Sequence, residues 1–274
     1  FYNAIGTEVT LLEMMPQILP LEDAEVVEIL AKSLKKSGIK IETDARISRV
    51  DKTPSSVSVK GNTVKGEQSW DADLCLVAVG VQANSDGMGL EEIGVQTEKG
   101  FVKINEQYCT NIPSIFAIGD LIGTPMLAHA ASHEGITAVE AMAGLSVHKV
   151  DPYSIPSCTY CQPQIASIGL TEAKALERGY NLKIGRFPYS ASGKALASGE
   201  REGLVKLIFD QKYGELIGAH IVGMDATEMI AELGLAKSHE AVADSIAATV
   251  HAHPTLSETI MEAALAAMGR AVHI

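Results

Sequence analysis

Apolar residues recur along this chain with two different periods, and the switches between them predict its elements. Glu8-Val9-Thr10-Leu11-Leu12 reads as a strand ending at Glu13, and a helix follows from about Asp23 to Ser37, closed by Gly38. Ile39 to Glu42 is a second strand. Arg46 to Val59 and Thr63 to Asp73 alternate as short strands around a turn at Gly61-Asn62, a small antiparallel meander. The unbroken apolar run Leu74 to Val79, ending at Gly80, suits a buried parallel strand. Strand, helix, strand, meander, strand is the α/β pattern of a doubly wound sheet with an inserted hairpin.

Residues 83–149 centre on a strand over Ser114 to Ile118, then Gly119-Asp120, then a helix from about Leu127 to Ala143. Gly144 to Pro156 reads as a linker. Beyond it come a helix over Thr171 to Arg178, strands over Leu182 to Pro188, Gly203 to Asp210 and Glu215 to Val222, and further helices, an α+β arrangement. The last helix is expected over Thr255 to Met268, with Leu256, Ile260, Ala264 and Met268 near one face and Pro254 at its first position. Phe1 to Gly6 reads as the tail of a helix with a glycine cap, so the chain is expected to begin inside a fold.

Composition narrows the picture. The 274 residues are 46% hydrophobic and 20% charged, ordinary for a globular protein of about two domains. A net charge of -12 argues against nucleic acid and against an anionic membrane as partner. Apolar stretches fall far short of the ~20 residues of a spanning helix. No cysteine pattern demands an oxidising compartment, so the cytoplasm is expected. Cys158-Thr159-Tyr160-Cys161 has the spacing of a redox pair or half a zinc site. Strand and turn follow it rather than a helix, and there is no second such pair, so neither a redox nor a metal role is expected.

Three places carry candidate chemistry. In His251-Ala252-His253-Pro254-Thr255-Leu256-Ser257-Glu258, His253 precedes a helix and Glu258 lies about one turn in. A carboxylate on one imidazole nitrogen fixes the tautomer and leaves the other as a general base. Thr255-Leu256-Ser257-Glu258 equally fits a capping box, in which the glutamate merely bonds back to the cap backbone. Glu13, at a strand end, suits the acid that takes adenosine ribose hydroxyls in a dinucleotide fold, or is only a solvated strand-end acid. The matching glycine loop would lie upstream of Phe1. Asp120, held at a strand tip by Gly119, can accept hydrogen bonds from a polyol chain, or is only a turn residue.

Taken in order, Val9 to Glu13, Ala78-Val79-Gly80, Thr110 to Asp120, Met126 to Gly135, His251 to Glu258 and the ending Gly269 to Ile274 resemble the pyridine nucleotide–disulfide oxidoreductase family. The resemblance covers essentially all residues and is to the C-terminal part of members that oxidise dihydrolipoamide. It implies an incomplete Rossmann-like NAD domain over 1–82, a central flavin-contacting segment over 83–149, and an α+β dimerisation domain over 150–274. By the same resemblance Glu13, Ile47 and Gly80 bind NAD. Gly119, Asp120 and the segment Met126-Leu127-Ala128-His129 bind FAD. His253 is the base and Glu258 its partner. The base serves the flavin site of the other subunit of a homodimer, and the redox disulfide belongs to the family's N-terminal FAD domain. The implied substrate is dihydrolipoamide on a lipoyl domain of a 2-oxo acid dehydrogenase complex. Val81-Gln82-Ala83-Asn84 departs from the arginine-proline pattern usual after that glycine. The alternatives are a glutathione reductase-type member, or a noncatalytic dimerising fragment.

Overall fold

The structure, a computed structural model, describes residues 1–123 and 125–274. A 3-10 turn at Asn3–Ile5 ends at Gly6, whose φ is +97°. Strand β1 (Thr10–Leu12), helix α1 (Ala24–Lys36), β2 (Lys40–Glu42), β3 (Arg46–Lys52), β4 (Val57–Thr63) and β5 (Gly66–Ala72) follow. Next come β6 (Thr97–Glu98), β7 (Phe101–Val102), a 3-10 turn at Gly119–Ile122 and α2 (Ala128–Met142). The remainder holds β8 (Ser157–Thr159), β9 (Gln164–Gly169), α3 (Glu172–Glu177), β10 (Leu182–Pro188), α4 (Gly193–Ser198), β11 (Leu204–Asp210), β12 (Leu216–Gly223), α5 (Ala226–Ser238), α6 (Ala243–Ala248) and α7 (Glu258–Ala267). The architecture is mixed α/β, in two compact units: residues 1–76 with 156–274, and residues 77–155.

The first unit is built on an antiparallel sheet of order β10-β11-β12-β9-β8. Strands β11 and β12 are buried along their whole length, so both faces of the sheet are covered. One face packs Val205, Leu207, Ala219 and Ile221 against Leu233 of α5, Ile246 of α6 and Ile260 of α7. Helix α7 lies so close to β10 that a Cβ on Gly185 would sit 1.8 Å from the Ala263 carbonyl oxygen. Only glycine fits there, and that fit sets the depth of α7. The other face packs Ile165, Leu204 and Val222 against Val26, Val27 and Leu30 of α1. Strands β1 and β2 pair in parallel, and β3, β4 and β5 form the antiparallel meander.

A polar row crosses the face under α1. The register sets Arg186 beside Lys206, Lys206 beside His220, and His220 beside Ser167. Lys206 is 2% exposed, and its ammonium lies 2.8 Å from Asp23, 2.7 Å from Glu172 and 3.1 Å from Glu25. Arg186 adds bonds to Glu25 and Glu172. Asp23 also caps α1, accepting from the Glu25 N–H at 3.1 Å, and takes the Glu172 N–H at 3.2 Å. Burial pushes the Asp23 carboxyl up, but Lys206 together with His220 and the Glu172 N–H outweighs it and holds it below its ordinary 3.8. Burial pushes Lys206 down, and the facing carboxylates reverse this and leave it above 10.5. His220 is held below 6.5 by burial. Its Nε2 lies 3.0 Å from the Leu170 carbonyl, so that nitrogen carries the proton, and Nδ1 has no partner among the described residues.

The second unit holds the β6–β7 pair, the 3-10 turn and α2, with Val95, Val102 and Ala117 as its small core. The structure corrects several expectations. Leu74 to Val79 is not a strand: Leu74, Leu76, Val77 and Val79 are 66–93% exposed, and none of the described strands pairs with the run. A buried strand exists only by courtesy of neighbours, which composition cannot certify. Ser114 to Ile118 forms a single bridge, Phe116 with Cys109, rather than a strand. Gly61-Asn62 lies inside β4, and the meander turns instead at residues 53–56 and 64–65. Helix α7 begins at Glu258, so Pro254 belongs to the preceding loop and not to a first helical turn.

The polar row can be tested in two ways. Lys206→Met keeps the volume but strands the Asp23 carboxylate, and urea unfolding should register a loss of about 3–5 kcal/mol; a loss under 1 kcal/mol would contradict the network's role. Below pH 6.5 the unfolded chain protonates His220 while the folded protein resists, so stability should fall as pH drops through that value. His220→Gln should remove that limb of the urea-midpoint profile. The Asp23 contribution disappears only further into acid, as pH falls through its depressed value.

Candidate active site

The segment between α6 and α7 places an imidazole outside and its partner inside. Leu256 is buried beneath it, and Thr259 donates its hydroxyl to the Leu256 carbonyl at 2.6 Å, so the start of α7 is anchored in the core. Glu258 is the first residue of that helix. Its Oε2 accepts the Thr255 N–H at 2.8 Å, and its Oε1 lies 2.9 Å from His253 Nδ1. The Thr255 hydroxyl donates to the Ala252 carbonyl at 2.6 Å, which tightens the turn. The carboxylate has two tasks: one oxygen bonds back to the Thr255 N–H in the turn before the helix, and the other holds the imidazole. A full capping box does not form, because the cap residue of α7 is Ser257 and the Thr255 hydroxyl turns to Ala252.

The electrostatics fix the tautomer. Partial burial raises the Glu258 carboxyl, but the Thr255 N–H and His253 outweigh it and hold it below its ordinary 4.5. An ionised carboxylate only accepts, so His253 Nδ1 carries a proton, and in the neutral ring Nε2 keeps its lone pair. The His253 side chain is 76% exposed, so that lone pair is open to an incoming acid.

Glu13 ends β1. Its N–H donates to the Glu42 carbonyl at 3.0 Å, its carbonyl takes the Ala45 N–H at 2.9 Å, and its carboxylate accepts the Met15 N–H at 2.7 Å. These bonds bring Glu13 beside the stretch leading to Ile47, which is exposed at the start of β3. Gly80 belongs to the second unit, at a φ of +135° with nothing within 4 Å of its absent side chain.

The second unit gathers Gly119, Asp120 and the segment 126–129 around the start of α2. Gly119 has φ +69°, and its N–H donates to Glu134 Oε2 at 2.7 Å. Asp120 is exposed on the 3-10 turn. Helix α2 starts with Leu127 at its cap, no side chain capping it and no acid in its first turn. Met126 and Leu127 are half-buried, whereas Ala128 and His129 are exposed. Glu134 is the residue that sequence reasoning left without a role. Ala130, Glu134 and Ala138 are the buried face of α2, and an acid in an alanine stripe of period four was the available signal. Cys158 and Cys161 are free thiols, and burial pushes both above the ordinary 9.0.

An α/β portion with a parallel strand pair and a meander, and an antiparallel α+β portion bearing an oriented imidazole, match one class of oxidoreductase. Residues 1–135 match the profile "Pyridine nucleotide-disulphide oxidoreductase" and residues 155–264 that of its dimerisation domain, and the chain belongs to this family. It is 48% identical, over its full length, to a dihydrolipoyl dehydrogenase of Rhizobium etli and covers 57% of that protein. It is 45% identical over 98% of its length to one from Bacillus subtilis, again covering 57%. The chain thus spans somewhat over half the length of these curated relatives. Among solved structures, LpdA from Mycobacterium tuberculosis superposes with a TM-score of 0.87 at 26% identity, over 96% of this chain and 57% of that one.

Glu258→Ala removes the acceptor of two bonds at the start of α7. It should cost about 1–3 kcal/mol in thermal or urea unfolding, the scale of hydrogen bonds to a charged group. Glu258→Gln keeps an oxygen for the Thr255 N–H and should cost less than half as much. Equal losses in the two variants would mean that the Thr255 bond contributes nothing.

Proposed function

We propose that this protein is a dihydrolipoyl dehydrogenase, an FAD-dependent enzyme that oxidises dihydrolipoamide with NAD⁺ as hydride acceptor. The observation that carries this reading is the His253–Glu258 pair, 2.9 Å apart, with the imidazole facing solvent. A free thiol is mostly protonated at neutral pH, and only the thiolate attacks a disulfide. His253 Nε2 takes the proton of one substrate thiol, and Glu258 stabilises the imidazolium that results. The substrate thiolate then opens a redox disulfide of the enzyme, forming one S–S bond as another breaks. Neither Cys158 nor Cys161 fits that disulfide, because burial raises both thiols where an exchanging pair needs a stabilised thiolate. The dihydrolipoyl dehydrogenases at 45–48% identity support the same reading.

The cofactor assignments fit the chemistry of the residues present. Asp120, exposed beside Gly119, suits the hydroxyls of the FAD ribityl chain. Met126, Leu127, Ala128 and His129 surround a helix start with no side-chain cap, whose N–H groups suit the electron-rich pyrimidine edge of a flavin. Glu13 suits the adenosine ribose of NAD and repels a 2′-phosphate, Ile47 lies near the adenine, and Gly80 admits the backbone to the nicotinamide end. Bound FAD supplies the two-electron relay between thiols and nicotinamide. Residues 1–82 then serve NAD, 83–149 the flavin, and 150–274 the pairing of two copies in a homodimer, in which the base serves the other copy's flavin site. The thiols arrive on a lipoyl domain of a 2-oxo acid dehydrogenase complex. The four cysteines are free thiols, which fits a reducing cytoplasm, and no helix among the described residues is long and apolar enough to cross a membrane.

His253→Gln should lower the rate of dihydrolipoamide oxidation in the full-length enzyme by about 10²–10⁴-fold, the usual range for a lost general base. Flavin absorbance per subunit should stay unchanged. Turnover near the wild-type value would refute the assignment.

A further inference from the structure

His251 lies two residues before the base and takes no part in that proton transfer. Its side chain is 4% exposed. One ring nitrogen, Nδ1, lies 2.9 Å from the Thr249 carbonyl oxygen, and the other, Nε2, lies 2.7 Å from Glu232 Oε1. A carbonyl only accepts, and so does an ionised carboxylate, whereas a neutral imidazole has one N–H to give. Both bonds therefore form only if the pair holds one proton more than a neutral ring beside a carboxylate. Glu232 belongs to α5, whose Met229, Ile230 and Leu233 share a core with Ile246 of α6 and with Leu256 and Ile260 beside and within α7. The loop bearing His253 is thus held at its two ends by α6 and α7, and at its middle by a side chain bonded to a third helix.

We propose that His251 and Glu232 are positioning residues for His253: their clamp fixes the loop so that the base meets Glu258 and presents Nε2 in a single orientation. The proposal rests on the reading of His253 as the base that takes the substrate's thiol proton. Neither residue touches the reacting atoms. Their effect is geometric, and misplacing a catalytic group by about 1 Å can cost about 100-fold in rate.

The test uses the full-length flavoenzyme and four variants, His251→Phe, Glu232→Ala, Glu232→Gln and His253→Gln. His251→Phe and Glu232→Ala should lower kcat for dihydrolipoamide oxidation by about 10- to 100-fold with KM little changed. NADH oxidation by ferricyanide needs no thiol base, so it should stay within about twofold of wild type, as should flavin content. Glu232→Gln should restore most of kcat, because its amide oxygen can accept from Nε2–H of a neutral ring, or its N–H can donate to Nε2 while Nδ1–H serves Thr249. If His251→Phe fails to fold, Glu232→Ala carries the test, since Glu232 is about one-third exposed. The clamp has no positioning role if Glu232→Ala keeps wild-type kcat while His253→Gln is crippled. It likewise has none if the ferricyanide activity and flavin content fall in step with kcat, or if Glu232→Gln is as damaged as Glu232→Ala. Wild-type turnover in His253→Gln would instead overturn the reading of the base itself, and the clamp's role with it.

Discussion

A single buried ammonium organises the first unit. Lys206 is buried in a strand, so its charge must be met by protein, and the carboxylates of Asp23, Glu25 and Glu172 meet it. Those acids come from the start of α1 and the start of α3, far apart in sequence and far from β11. The cost of dehydrating the cation makes the arrangement selective: α1 can lie over the sheet only where its first turn faces Lys206. The Val26, Val27 and Leu30 contacts are non-directional and would tolerate sliding. The ion cluster would not. Through α1 it also fixes β2, and through β2 the strand that ends in Glu13.

On the opposite face the constraint is steric. Gly185 lets α7 come close enough that a methyl group would collide with its backbone. The turn that leads into this deeply seated helix is held by the helix's first residue: Glu258 accepts the Thr255 N–H. A carboxylate has a second oxygen, and here that oxygen faces His253. One side chain thus holds both the turn before α7 and the imidazole.

These relations were unequally legible in the sequence. The His253–Glu258 pair was readable because both residues sit in one octapeptide, and the geometry of a loop entering a helix does the rest. Strand β10 was readable from its alternation of apolar and polar positions, and β11 and β12 from their mostly apolar runs, each bounded by Gly, Pro or a charged turn. Asp23 was readable as a helix start, but its bond to Lys206 spans a separation that no local pattern encodes. Leu74 to Val79 shows the reverse failure. Its apolar composition is that of a buried strand, yet burial is a property of neighbours, and the described residues supply none. Pro254 was assigned to α7 because proline suits a first helical turn, but the Thr255 and Glu258 bonds shape a loop there and delay the helix to Glu258.

An exposed imidazole poses a physical difficulty that the architecture answers. A surface side chain ordinarily samples several rotamers. Burying the imidazole would order it but close it to anything that approaches from outside. Here the order comes from behind. The inner nitrogen of His253 is held by Glu258, Glu258 is held by the start of α7, and α7 is held against β10 by Gly185. The His253 side chain stays 76% exposed. Each link in that chain is more buried than the one it supports, so accessibility and precision are separated along a single line of contacts rather than traded at one residue.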